Sequence, residues 1–137
     1  GRYDWILPEQ IQWFNQCSAA LLERGEVQGT LVFQHIPLPE YYEAYQQQKP
    51  RNAVKEEFFR VDGPSLNTGF FSNLVFDPLA TTLFVGHNHN NNFDVNYRDF
   101  RIVFGQVSGY GANARVNRGA RLIRLTPHGI QSEIIEF

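Results

Sequence analysis

Thr81-Thr82-Leu83-Phe84-Val85-Gly86-His87-Asn88-His89 is the stretch on which the reading of this chain turns. Leu83-Phe84-Val85 lacks the apolar–polar alternation of a half-exposed strand. A strand with two buried faces belongs in the middle of an α/β sheet. Gly86 then permits a tight turn directly after the strand, so His87 and His89 leave its end in different directions. Thr30-Leu31-Val32-Phe33-Gln34-His35 repeats the design: a short apolar β-prone run, then a histidine, with Pro37 and Pro39 breaking the strand. Open α/β sheets collect ligands in the crevice beyond the carboxyl ends of their strands. If the two strands are neighbours, His35, His87 and His89 converge, and neutral imidazole is a good ligand for Zn, Fe, Cu or Ni. The bland alternative is that the histidines are incidental. Asn88 to Asn92 holds four Asn and one His, and histidines in such a polar loop need no function. His128, in a Pro-His-Gly turn, reads as structural or merely exposed.

Working outward, the elements alternate. Pro8 suits a first helical position, Glu9 suits the positive end of the helix dipole, and Ile11, Phe14, Cys17, Leu21 and Leu22 recur at helical spacing up to Gly25. A more polar helix is predicted over Glu40 to Gln48, and a short one over Asn67 to Leu74 ahead of Asp77-Pro78. Lys49 to Pro64 reads as a loop or excursion. Strands are predicted at 81–85 and at 100–104. Ala120 to Leu125 and Ile130 to Phe137 flank a Thr126-Pro127-His128-Gly129 turn, which makes a hairpin. The fold class is therefore α/β, with a mixed sheet ending in an antiparallel hairpin.

Composition bounds the function. The 137 residues are 42% hydrophobic, enough for one packed domain. A net charge of −2 argues against a general nucleic-acid or anionic-membrane binder. No apolar run approaches the roughly 20 residues of a membrane span. The single cysteine, Cys17, permits no internal disulfide and leaves the redox compartment unread. There is no Met and no Asn-X-Ser/Thr glycosylation acceptor. The lack of Met, even at position 1, suggests a chain that begins inside a longer protein.

Three ordered motifs carry a family resemblance. His35-Ile36-Pro37-Leu38-Pro39-Glu40, Asn67-Thr68-Gly69-Phe70-Phe71, and Phe84-Val85-Gly86-His87-Asn88-His89-Asn90-Asn91-Asn92-Phe93 resemble the C-terminal half of a calcineurin-like metallophosphoesterase. The similarity is greatest to the purple-acid-phosphatase-related branch. Trp5 to Phe14 resembles the helix before the fourth metal motif; Ser108 to Ala112 and Arg118 to Arg121 resemble the end of the domain. The resemblance implies that residues 1–137 are the C-terminal half of a four-layer αββα sandwich. It implies two metal ions (Fe, Zn or Mn), with His35 and His87 on the second and His89 on the first. It also implies a phosphate-ester substrate, a partner in the N-terminal half of the same domain, and a secreted or endomembrane location.

The departures matter as much. The earlier motifs, with their Asp, bridging Asp and Asn ligands, do not occur in this chain; of the nearby candidates Asp62, Asp77, Asp94 and Asp99, Asp77 precedes a proline and Asp94 follows a loop, and none is a good bridging Asp. Close relatives in the resembled family often carry Asp where this chain has Asn88 and Asn92. Tyr41, Tyr42 and Tyr45 stand where purple acid phosphatases carry leaving-group histidines; they line a pocket or pack a helix. Arg115, Arg118 and Arg121 bind phosphate or are solvated loop charges. The leading expectation is hydrolysis of phosphate esters at a dinuclear site completed by the missing half, this chain alone being inactive. A catalytically inactive protein of the same fold is the alternative, and a mononuclear cupin-like metal protein the second alternative.

Overall fold

The computed structural model describes residues 3–48, 50 and 62–137. Most of the loop expected over Lys49 to Pro64 lies outside the described residues. Nine elements follow one another: α1 (Pro8–Arg24), β1 (Thr30–Phe33), α2 (Pro39–Gln48), α3 (Phe70–Phe76), β2 (Ala80–Val85), β3 (Asp94–Tyr97), β4 (Phe100–Phe104), β5 (Gly119–Thr126) and β6 (Gly129–Glu136). The first four strands form one mixed sheet in the order β1-β2-β4-β3, and β5 and β6 form a separate two-stranded sheet. β1 pairs parallel with β2, β2 parallel with β4, and β3 antiparallel with β4. The neighbour relation between the two histidine-bearing strands is thus present. The helices and the parallel pairing leave no place for a cupin-like barrel, which is almost all strand.

The helices cover one sheet face. Leu83, Val85, Phe100, Ile102 and Phe104 point into a core shared with Tyr41 and Ala44 of α2 and with Phe70, Phe71 and Leu74 of α3. Ile11 and Phe14 of α1 pack on its margin, where the Phe14 ring meets Phe70 edge-on at 5.4 Å. α1 begins where the Gln10 carboxamide accepts the Leu7 amide and ends at Gly25 in the left-handed region, φ 65°. Its expected apolar face needs correction at two positions: Cys17 and Leu22 are exposed, whereas Ser18 is buried. Tyr41 ties α2 to the sheet. Its buried hydroxyl donates to the Leu83 carbonyl at 2.7 Å and accepts the Val103 amide at 3.3 Å, so it spans β2 and β4. Burial pushes its pKa well up, so the phenol stays protonated.

The hairpin lies over the opposite face, held by two arginines. Arg101 donates to both Asp94 carboxylate oxygens, to the Ile130 carbonyl and to the Ser132 hydroxyl. Arg121 donates to the Phe104 and Asn92 carbonyls, both at 2.6 Å, and to Ser132. Asp94 is thus clasped between Arg101 and Arg121. The other end of this face stays open: Phe33 stacks on Phe84 at 5.0 Å yet is 62% exposed. β3 was not expected. It exists because Arg98 and Asp99 both adopt positive φ, 49° and 62°, the geometry of a two-residue hairpin turn.

Burial pushes the Asp94 carboxyl up, but hydrogen bonds from Arg101 and Ser132 and the charges of both arginines outweigh it, so its pKa is lowered. A carboxylate depressed by folding contributes stability above its unfolded pKa and loses it as pH falls through the folded value. Asp94→Asn is expected to cost about 1–3 kcal/mol at pH 7. The gap from wild type should narrow below about pH 4. Urea unfolding at pH 7 and at acid pH checks this, and a gap that does not change with pH contradicts it.

Candidate metal centre

The pairing of β1 with β2 continues past both strand ends. The Gln34 amide donates to the Phe84 carbonyl at 3.0 Å, and the Gly86 amide donates to the His35 carbonyl at 3.0 Å. This rung sets His35 beside Gly86 and brings the His35 and His87 rings to 5.2 Å, edge to face. Gly86 is needed for the approach: a Cβ there would stand 3.4 Å from His35 Nδ1.

His87 has φ 70°, and the Asn88 amide donates to the Gly86 carbonyl across it at 2.8 Å. The residue is therefore the centre of a γ-turn of the strained, positive-φ kind. Such an outlier at a strand end points to a functional constraint. The turn directs the His87 ring toward His35, with Tyr3 packed edge-on against it at 4.6 Å. Tyr3 carried no signal in the sequence as a neighbour of this histidine. Burial, then the adjacent His35, lowers the His87 pKa, with Asp62 opposing and His89 reinforcing the shift. His87 thus favours neutral imidazole, the form that ligates metal.

His89 goes elsewhere. It is exposed, and its Nδ1 lies 3.1 Å from the Asn113 carbonyl oxygen. Among the described residues no three His, Cys, Asp or Glu side chains are close enough to share a metal ion. The expected convergence of three imidazoles is met for two. The donor chemistry suits Zn or Fe at His35 and His87, and a full coordination sphere needs further ligands.

The other candidates find structural work. Asp94 is held by arginines; Asp77 accepts the Leu79 and Ala80 amides at the start of β2; Asp99 sits in the β3–β4 turn. Asp62 reaches His87 through its charge. Arg118 donates to the Ala112 and Val116 carbonyls, and Arg121 braces the hairpin, so neither is the solvated loop charge or the phosphate ligand expected of it. Tyr41 and Tyr45 pack in or against the core, and Tyr42 is exposed. His128 is exposed in the β5–β6 turn.

The strain at position 87 is measurable by comparing two variants that both lack the ring. His87→Gly is expected to be more stable than His87→Ala by about 1–2 kcal/mol, because Ala pays the left-handed penalty and Gly does not. Equal urea midpoints for the two variants would contradict the turn.

No protein-family model matches the chain. It is 30% identical over 132 residues to "Probable inactive purple acid phosphatase 29" of Arabidopsis thaliana, an alignment that covers 88% of this chain and 33% of that protein. It is 26% identical over 129 residues to "Probable inactive purple acid phosphatase 14" of the same plant, covering 88% of this chain and 31% of that protein. The chain therefore spans about a third of the length of these relatives. The mixed α/β sheet with its closing hairpin fits the C-terminal part of such a domain, and the chain is related to the purple-acid-phosphatase-like metallophosphoesterases.

Proposed function

We propose that this chain is the C-terminal, histidine-bearing part of a metallophosphoesterase-type domain that binds metal through His35 and His87 and does not itself turn over phosphate esters. The observation that carries the metal reading is the meeting of these two imidazoles at neighbouring strand ends, 5.2 Å apart. Two features support inactivity. Carboxamides occupy positions 88 and 92, so the loop lacks negative charge beside the pair. The two relatives are both named probable inactive.

The unfinished sheet supports the view that the chain is part of a larger domain. Among the described residues β1 is an edge strand, and Phe33 on it is exposed. An edge with β-prone apolar residues is a place where further strands add. In this reading the N-terminal half supplies those strands and the remaining ligands.

A metal ion at such a centre acts as a Lewis acid, lowers the pKa of bound water and orients a phosphate oxygen. The contribution of this chain is to hold ligands. The rung from Gly86 to His35 positions one imidazole; the γ-turn at His87 aims the other; Tyr3 shields the second ring from water on one side. Hydrolysis of phosphate esters at a completed dinuclear site is the second reading, favoured by the survival of His35, His87 and His89.

The complete natural protein that carries this chain tests both. It is expected to retain Fe, Zn or Mn through purification, to lose most of it in the His35→Ala/His87→Ala double variant, and to hydrolyse p-nitrophenyl phosphate no faster than that variant. Retained metal with hydrolysis that the double variant abolishes would overturn inactivity in favour of the second reading. Absence of metal, before and after reloading, would overturn the metal reading itself.

A further inference from the structure

His89 and Asn90 face the 109–118 loop with two matched hydrogen bonds. His89 Nδ1 lies 3.1 Å from the Asn113 carbonyl oxygen, and the Asn90 side-chain oxygen accepts the Arg115 amide at 2.6 Å. The loop is itself braced: the Ala112 amide closes a turn on the Gly109 carbonyl, Arg118 donates to the Ala112 carbonyl, and the Gln106 carboxamide donates to the Asn117 carbonyl. A carbonyl oxygen accepts and cannot donate. The His89 nitrogen that faces it must therefore carry the proton, which leaves Nε2 with the free lone pair.

We propose that the 109–118 loop is a positioning element for His89: Asn90 anchors it through the Arg115 amide, and the Asn113 carbonyl then holds the imidazole in the Nδ1-protonated tautomer. His89 so held presents Nε2 outward as a preformed donor. A second partner that fixes tautomer and ring direction is the usual companion of a metal-ligating histidine. Asn90 is the positioning residue, since it acts on His89 through the loop and touches no ligand. The tautomer follows from the two hydrogen bonds alone; its use for a metal ion rests on the function proposed above.

Long-range proton–nitrogen NMR on the complete protein with 15N-labelled histidine reads the tautomer directly, without metal, at alkaline pH where imidazole is neutral. The His89→Gln variant assigns the signals. The wild type is expected to show a pyrrole-type Nδ1 and a pyridine-type Nε2 at His89. Asn90→Ala should move His89 toward the Nε2-protonated tautomer that unconstrained imidazole prefers, and Asn90→Asp, which keeps an acceptor oxygen, should restore the wild-type pattern. An Nε2-protonated His89 in the wild type overturns the proposal without any variant, as does an unchanged pattern in a folded Asn90→Ala protein. Zinc titration by calorimetry separates the two levels. A roughly 10–100-fold weaker affinity in Asn90→Ala, the usual cost of losing a ligand's hydrogen-bond partner, is expected. Failure of the wild type to bind zinc, with the tautomer as described, would remove the metal reading and leave the positioning role.

Discussion

The parallel pairing of β1 with β2, extended one rung beyond each strand, is the constraint on which the rest depends. Its last hydrogen bond, from the Gly86 amide to the His35 carbonyl, joins the two histidine-bearing ends. Without it His35 would sit on a free loop. With it, the position of one imidazole follows from the register of the sheet, and the γ-turn at His87 completes the pair. A conformation that costs on the order of 1–3 kcal/mol persists only where the surroundings over-determine it. Here the Gly86 rung before the turn, the Asn88–Asn91 turn after it and the Tyr3 ring against it do so.

The remainder of the fold reads as bracing for that junction. Tyr41 clamps β2 to β4 from the helical side through one buried hydroxyl. From the other side Arg101, Arg121, Asp94 and Ser132 join β3, β4 and the hairpin, and Arg121 also grips the Asn92 carbonyl at the far end of the histidine loop. The loop from Gly86 to Asn92 is thus fixed at both ends, and the 109–118 loop fixes its middle. What is left unbraced is the outer side of β1, where Phe33 is exposed. That asymmetry is physically coherent for a chain that spans about a third of its relatives.

Much of this was legible in the residues. An unalternating apolar run marked β2 as an interior strand, which it is; the same reading of β1 does not hold, since among the described residues β1 is an edge strand with Phe33 exposed. The histidines that follow both runs marked the strand-end crevice. Pro8 and Gly25 bounded α1. The misreadings have physical causes. β3 has four residues and depends on a two-residue turn made by Arg98 and Asp99, neither of which announces positive φ. The apolar period of α1 did not tell its covered face from its open one, because Cys17 and Leu22 share spacing with Ile11 and Phe14. Convergence of three histidines was an argument from strand ends, and it held for His35 and His87, which a ladder positions. His89, two residues further on, answers to hydrogen bonds with a loop 24 residues away in sequence, and that pairing has no local signal. Arg118 and Arg121, read as solvent-facing or ligand-binding, hold backbone carbonyls, whereas Arg115 is exposed.

The central claim is that His35 and His87 together ligate a metal ion in the intact protein. Anomalous diffraction from crystals of the complete protein, collected on both sides of the zinc and iron absorption edges, tests it most directly. The account predicts an anomalous peak between the two rings, within about 2.0–2.2 Å of one nitrogen of each. A fully occupied peak elsewhere in the domain, or none after reloading with either metal, would contradict it.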